Sequence, residues 1–236
     1  MGQQDGRQAR WDKHNEERRA QILDAAVAVI DEGEPGAEFH VQQIAARAGL
    51  NRTVVYRHFD DRADLDRAIR AHISDDLTAG LIPEVSLDGT INQIIRRVVT
   101  SYVDWVVEHP AAHAFAAQEL SGPFEQGTDR IATAVNDILQ LAITLLGVDL
   151  DDDEQALVDP LAHGLVGAVF GAVRRWVSRE QRAPEAKALV DLLSQSVWNL
   201  LDGHARRLGL SLDPDLALAD LLPAVTPTVT ADGTGS

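Results

Sequence analysis

Apolar positions in this chain recur at three- and four-residue steps from residue 22 to residue 201, the spacing that gathers them on one side of an α-helix. Ile22, Ala25, Ala26, Val29 and Ile30 predict a helix over 16–31. Ile44, Ala45 and Ala48 predict a two-turn helix over 41–48, and Leu65, Ala68, Ile69, His72 and Ile73 one over 62–81. Past Pro83 the same spacing predicts helices near 87–107, 110–120, 124–146, 153–179 and 184–208, with no credible strand. The fold class expected is all-α.

Breaks fall where Gly and Pro gather: Gly33, Pro35 and Gly36, then Ser121-Gly122-Pro123, then Gly147. The helix over 153–179 carries Gly164, Gly167, Ala168 and Gly171 among its apolar residues. Each glycine costs a helix about 1 kcal/mol, so several together predict that a second helix packs close to this backbone. Residues 1–15 are polar and are expected to form a flexible arm. The favoured reading is a disordered tail; in the lesser one its Arg7, Arg10 and Lys13 reach phosphates or a minor groove. Pro, Thr and Gly dominate the end of the tail at 211–236, so its last dozen residues are expected to be disordered.

Charge changes the picture in one window. His40 to Phe59 holds Arg47, Arg52 and Arg57 and no acid, in a chain of 37 acidic residues and net charge −16. By proportion the window should hold about three acids, so an anionic partner is expected there. Gly49 suits the positive φ that ends the first helix, and Asn51 is a good N-cap for a second helix of about seven residues. Val55 and Phe59 pack inward, leaving Arg52, Thr53, Tyr56 and Arg57 outside. Two short helices about a glycine turn, the second basic on its exterior, form a helix-turn-helix whose second helix enters a major groove. The remaining acid is uneven: residues 1–75 hold 11 basic and 14 acidic residues, whereas 76–236 hold 10 and 23.

The stretch IAARAGLNRTVVYRHFDDRADL resembles the DNA-binding half of the TetR family of bacterial transcription repressors. The marks are Ile44-Ala45, Ala48-Gly49, Asn51, Tyr56, His58-Phe59, Arg62 and Leu65, with RRAQILDAAVAVIDEG similar to the family's first helix. The match covers about residues 16–75 and departs from the family's usual residues at His40, Thr53 and Arg62. The resemblance implies a three-helix DNA-binding domain over 16–75 and a larger helical effector-binding and dimerisation domain over 76–210. It places Arg52, Thr53 and Val54, joined by Gln42, on base edges, and Tyr56, Arg57, His58 and Arg62 on phosphates of a double-stranded DNA operator. It also implies a homodimer through the last two helices, at Gly164, Gly167, Ala168, Gly171, Leu193, Val197 and Leu200. A dimer suits two recognition helices reading half-sites about one helical turn apart.

By the same resemblance the second domain encloses a small-molecule effector, apolar or aromatic, and releases DNA when it is filled. The candidate lining is Tyr102, Trp105, His109, Phe115, Phe124, Phe170, Trp176 and Trp198. Control by a protein partner, or by nothing, is the alternative. An enzyme is the remote one: His109 and His113 stand four apart near Glu108 and Glu119, but Pro110 puts His109 at the helix start, where both rings do not face one ion. No cofactor is implied. The chain has no cysteine, which fits a reducing cytoplasm. It shows no signal-peptide core and no apolar run approaching the length of a membrane span, so no membrane association is expected.

Overall fold

The computed structural model describes residues 2–118, 122–215 and 217, with side chains from residue 13 onward. Arg7, Arg10, Glu119 and the end of the tail therefore lie outside the described side chains. Ten α-helices occupy the described residues: α1 Gly2–Asp31, α2 Val41–Arg47, α3 Arg52–Val55, α4 Arg62–Leu81 and α5 Ile91–Glu108. After these come α6 Pro110–Ala116, α7 Pro123–Leu145, α8 Asp152–Ala156, α9 Val158–Val177 and α10 Ala186–Arg207. The all-α class stands.

Two buried clusters organise them. In the first, Ile22, Ala26, Ile44, Val55, Phe59, Leu65 and Ile69 join α1–α4. In the second, Tyr102, Val103, Val106, Ile131, Val166, Val173 and Leu189 join α5, α7, α9 and α10 around the far end of α4. The division expected at residue 75 falls within α4, which runs through both clusters. Ala111, Ala112 and Ala116 of α6 are buried in the first cluster, with the DNA-binding helices.

Close backbone approach fixes the α4–α7 crossing. A Cβ on Gly127 would stand 2.1 Å from Ser74 Oγ and 3.1 Å from Thr78 Oγ1. Ser74 Oγ donates to Pro123 O at 2.8 Å and Thr78 Oγ1 to Ser74 O at 2.6 Å, so neither hydroxyl is idle. Gly164, Gly167 and Gly171 differ, having no described atom within 4 Å of a built Cβ. The close neighbour expected for that stripe is not among the described residues.

Three expectations need correction. The arm over 1–15 is the start of α1, which runs unbroken from Gly2. Its Gln, Arg, Lys and Ala residues favour helix without the apolar periodicity that marks a buried face. The stretch Asp152–Val177 is also long and apolar enough to pass for a membrane span, with a mean hydropathy of 1.6 over an 18-residue window. Its glycines do not interrupt it; instead one side packs inward through Val158, Ala162, Leu165, Val166 and Val173. Finally, Leu193 and Val197 of α10 belong to their own subunit's core. The α10 residues left outward are Leu192 and Leu200, 58% and 47% exposed.

The two classes of glycine predict opposite outcomes. Gly127→Ala is expected to cost about 1–3 kcal/mol, because Ser74 must leave its hydrogen bond to make room. Gly164→Ala, in open space within one chain, is expected to cost nothing and to gain up to about 1 kcal/mol of helix propensity at concentrations where the chain is monomeric. Urea unfolding of both variants beside the parent chain measures the contrast.

Candidate nucleic-acid interface and effector core

The turn between α2 and α3 is held by short-range bonds that the local sequence specifies. Gly49 has φ +68°. Leu50 N donates to Ala45 O at 2.8 Å and Gly49 N to Ala46 O at 3.1 Å, the paired bonds that close a helix through a left-handed residue. Asn51 Oδ1 then accepts from Val54 N at 3.0 Å and caps α3. His40 caps α2 poorly by residue type, but Gln43 reaches back and its Oε1 accepts His40 N–H at 2.7 Å. The second helix is shorter than expected. After Val55 it tightens into a turn, with Arg57 N donating to Val54 O and His58 N to Val55 O.

The three arginines of the acid-free window have different surroundings. Arg47 pairs with Glu32, the residue just past α1. Arg52 is exposed, its guanidinium 5.4 Å from the centre of the Tyr56 ring. Arg57 is exposed and has no ion pair or hydrogen bond to its side chain among the described residues. Gln42 and Thr53 are exposed beside them, and Val54 and Tyr56 are half-buried. Arg62, expected on a phosphate, is instead engaged within the domain. It pairs with Asp66 at 2.7 Å, donates to Phe39 O at 3.1 Å and lies over the Phe39 ring. His58 is half-buried, and burial, with the positive charges of Arg19 and Arg18, lowers its pKa, so it is neutral at pH 7.

The residues proposed to line an effector site separate into two groups. Phe115 leaves the group, packing edge-on to Phe39 at 5.3 Å and under the Arg70 guanidinium at 4.6 Å, against the DNA-binding helices. His109 stays only at its edge, 5.2 Å from the Trp105 ring, with its Nδ1 2.7 Å from Asp31 Oδ2 at the end of α1. Asp31 Oδ1 accepts Ala112 N–H at 3.1 Å, so one carboxylate caps α6 and pairs with the residue before it. Tyr102, Trp105, Phe124 and Phe170 do converge, with Tyr102 stacked on Phe170 at 4.1 Å and Phe124 6.0 Å from Phe170. Trp176 donates its indole N–H to Pro184 O at 2.7 Å, and Trp198 packs at the edge of the second core. A cleft of about 480 Å³ lies elsewhere, between the end of α1 and α2, lined by Val29, Ile30, Phe39 and Gln43.

His113, passed over as a lining residue, stands at the centre of the converging rings. It is 1% exposed, its Nε2 lies 3.0 Å from Tyr102 Oη, and its Nδ1 is buried with no hydrogen-bond partner among the described residues. Burial first, and then the charge of Arg174, holds its pKa down at about 4. Burial likewise raises that of Tyr102, so both groups are uncharged at neutral pH.

Comparison with known proteins agrees with this geometry. A model of bacterial regulatory proteins of the tetR family matches residues 22–69, and one of the tetracyclin repressor-like C-terminal domain matches 91–200. The chain belongs to the TetR family of transcriptional regulators. It is 28% identical over 204 residues to an HTH-type transcriptional regulator of Mycobacterium tuberculosis, covering 84% of this chain and 83% of that one. It is 32% identical over 127 residues to the HTH-type transcriptional repressor LfrR of Mycolicibacterium smegmatis, covering 51% of this chain and 65% of LfrR. Among solved structures, a tetR-family regulator of Streptomyces coelicolor shares the fold at a TM-score of 0.62 and 20% identity, over 90% of this chain and 92% of that one. FadR of Bacillus subtilis, solved with stearoyl-CoA, does so at 0.57 and 17%, over 78% and 98%. In this TetR-family regulator the DNA-binding helix-turn-helix is therefore 41–58, and the family's ligand-binding half is the one that contains the ring cluster.

The buried imidazole predicts an acid-sensitive fold. His113 titrates at 6.5 in the unfolded chain and at about 4 when folded, so between those values only the unfolded chain takes up the proton. Its contribution to stability is complete above pH 6.5 and is lost as pH falls, by up to about 3 kcal/mol near pH 4. Urea unfolding at pH 7 and pH 5 should show a smaller loss in His113→Phe than in the parent chain.

Proposed function

We propose that this TetR-family regulator is a dimeric repressor that grips a double-stranded operator with two copies of the 51–58 turn. A small apolar or aromatic effector in the second domain makes it let go. The observation that carries the reading is the pair of exposed guanidiniums, Arg52 and Arg57, in an acid-free stretch of a strongly acidic chain. Arg52, with Thr53, Val54 and Gln42, reads base edges, and Tyr56 steadies the Arg52 guanidinium for a guanine's O6 and N7. Arg57 and Tyr56 take phosphates, as does His58, as a neutral donor. Arg62 is left out, since Asp66 and Phe39 already engage it.

The open stripe of Gly164, Gly167, Ala168 and Gly171 beside exposed Leu192 and Leu200 supports a second copy packing on α9 and α10. LfrR is named a repressor, which supports that sign of control. FadR has this fold and holds stearoyl-CoA, which supports an apolar effector. A second reading, regulation by a protein partner or by none, draws on the rings of Tyr102 and Phe170 already being in contact.

Selection of bound sequences from random DNA, repeated with apolar compounds present, tests the reading as a whole. Arg52→Ala is then expected to relax preference at one base pair by about 1–3 kcal/mol. Arg57→Ala is expected to weaken every sequence alike and lower the salt slope by about one contact. Equal binding of the parent chain to selected and random DNA would falsify the operator reading. Gly167→Arg meets nothing within its own subunit, so it should give helical monomers in analytical ultracentrifugation where the parent chain gives dimers. A parent chain that stays monomeric at every concentration removes the dimer.

A further inference from the structure

We infer that the Tyr102–His113 pair is the polar anchor of the effector site, and that the effector is an apolar molecule presenting one hydrogen-bond-accepting oxygen, a carbonyl or a carboxylate. This rests on the effector reading above and names the chemistry that site selects.

His113 sits where four helices meet. Its ring, on α6, is 6.1 Å from Tyr102 and 6.4 Å from Trp105 on α5, and 5.6 Å from Phe124 on α7; Phe170 of α9 stacks behind Tyr102. Trp105, Phe124 and Phe170 are only partly buried, so the cluster reaches the surface on their side. The box is apolar except for the imidazole, the phenol and the indole N–H of Trp105, whose ring also meets His109 at 5.2 Å.

Their hydrogen bond can run in two directions, and the two differ in what they leave unmet. If Tyr102 donates to Nε2, the only unmet group is the Nδ1–H donor. If Nε2–H donates to the phenol oxygen, both the Nδ1 lone pair and the phenol hydrogen lack partners. A buried unmet polar group costs about 1–3 kcal/mol, so the first arrangement is favoured and points an N–H into an aromatic interior. An oxygen acceptor on a ligand satisfies it.

Charge narrows the class further. Among the described residues the buried polar side chains are Ser74, Thr78 and His113, with no buried acid to hold a cation. The charged side chain whose field reaches both Tyr102 and His113 is Arg174, exposed on α9 and without an ion pair among the described residues. A cationic ligand would meet only repulsion there, and an oxyanion would be drawn in.

Calorimetric titration with decanoate, methyl decanoate and decylamine, three ten-carbon probes used below their micellar limits, tests the anchor. Both oxygen-bearing probes are expected to bind at least about tenfold more tightly than decylamine, and His113→Phe to lose that margin. His113→Gln, which keeps an N–H donor, should retain it. Decanoate favoured over the ester, with the advantage removed by Arg174→Ala, would identify a carboxylate; equal affinity would identify a carbonyl. Should His113→Phe not fold, the imidazole N–H resonance of the parent chain must shift when decanoate is added. Decylamine binding as tightly as decanoate, no binding by any probe, or an unmoved imidazole resonance overturns the anchor. Operator DNA in parallel titrations separates the two readings. Probe binding without DNA release keeps the anchor and removes the switch, whereas release only by compounds lacking an acceptor oxygen does the reverse.

Discussion

Asp31 is the last residue of α1, where a carboxylate faces the negative end of its own helix dipole and gains nothing from it. Its compensation comes from across the molecule. One oxygen takes the N–H of Ala112 at the start of α6, and the other takes His109 Nδ1. Helix α6 has no side-chain cap of its own, because His109 at its N-cap makes none. The helix is therefore completed by a residue nearly eighty positions earlier, and the helix that carries it is the one behind the DNA-binding turn. The junction between the halves of the molecule depends on this shared carboxylate.

What α6 carries on its two sides explains why the junction matters. Ala111, Ala112 and Ala116 lie in the core of the DNA-binding half, and Phe115 is pinned between Phe39 and Arg70. The other side presents His113 to Tyr102, Trp105 and Phe124. A seven-residue helix cannot shift one side and leave the other in place. Packed interiors also move between discrete arrangements rather than deforming smoothly. This packing ties the rings to Asp31 at the end of α1, the helix whose Gln21 amide also donates to Ala48 O at the close of α2.

The parts that were legible in the sequence are those whose forces are local. The Gly49 turn and the Asn51 cap are specified by the residues within a few positions of them, and the structure forms both. The α4 cap falls to Asp61, one of two adjacent candidates. Where spatial neighbours decide, the reading failed in identifiable ways. Arg62 looked like a free cation until Asp66 and Phe39 were beside it. Leu193 and Leu200 share an apolar stripe on α10, and only the docking of α5 turns one inward and leaves the other out. Gly127 gave no hint of its role, since its reason lies on α4, some fifty residues away. His113 was read only against His109, its partner by spacing, whereas in the fold the two histidines serve different halves of the molecule.

The charge balance bears on how such a protein can be selective. Of the three arginines in the acid-free window, Glu32 neutralises Arg47 and leaves Arg52 and Arg57 to face DNA from each subunit. A duplex rewards each neutralised phosphate with released counterions, at a salt slope of about −0.9 per contact. A subunit with so few uncompensated cations gains little from that sequence-blind attraction, and the acids of residues 76–236 oppose it further. Weak binding to random DNA then comes without any discrimination by the bases themselves. On the proposed reading of a dimer on an operator, the affinity then has to come from base contacts and from two copies acting together, so loss of either removes most of the binding.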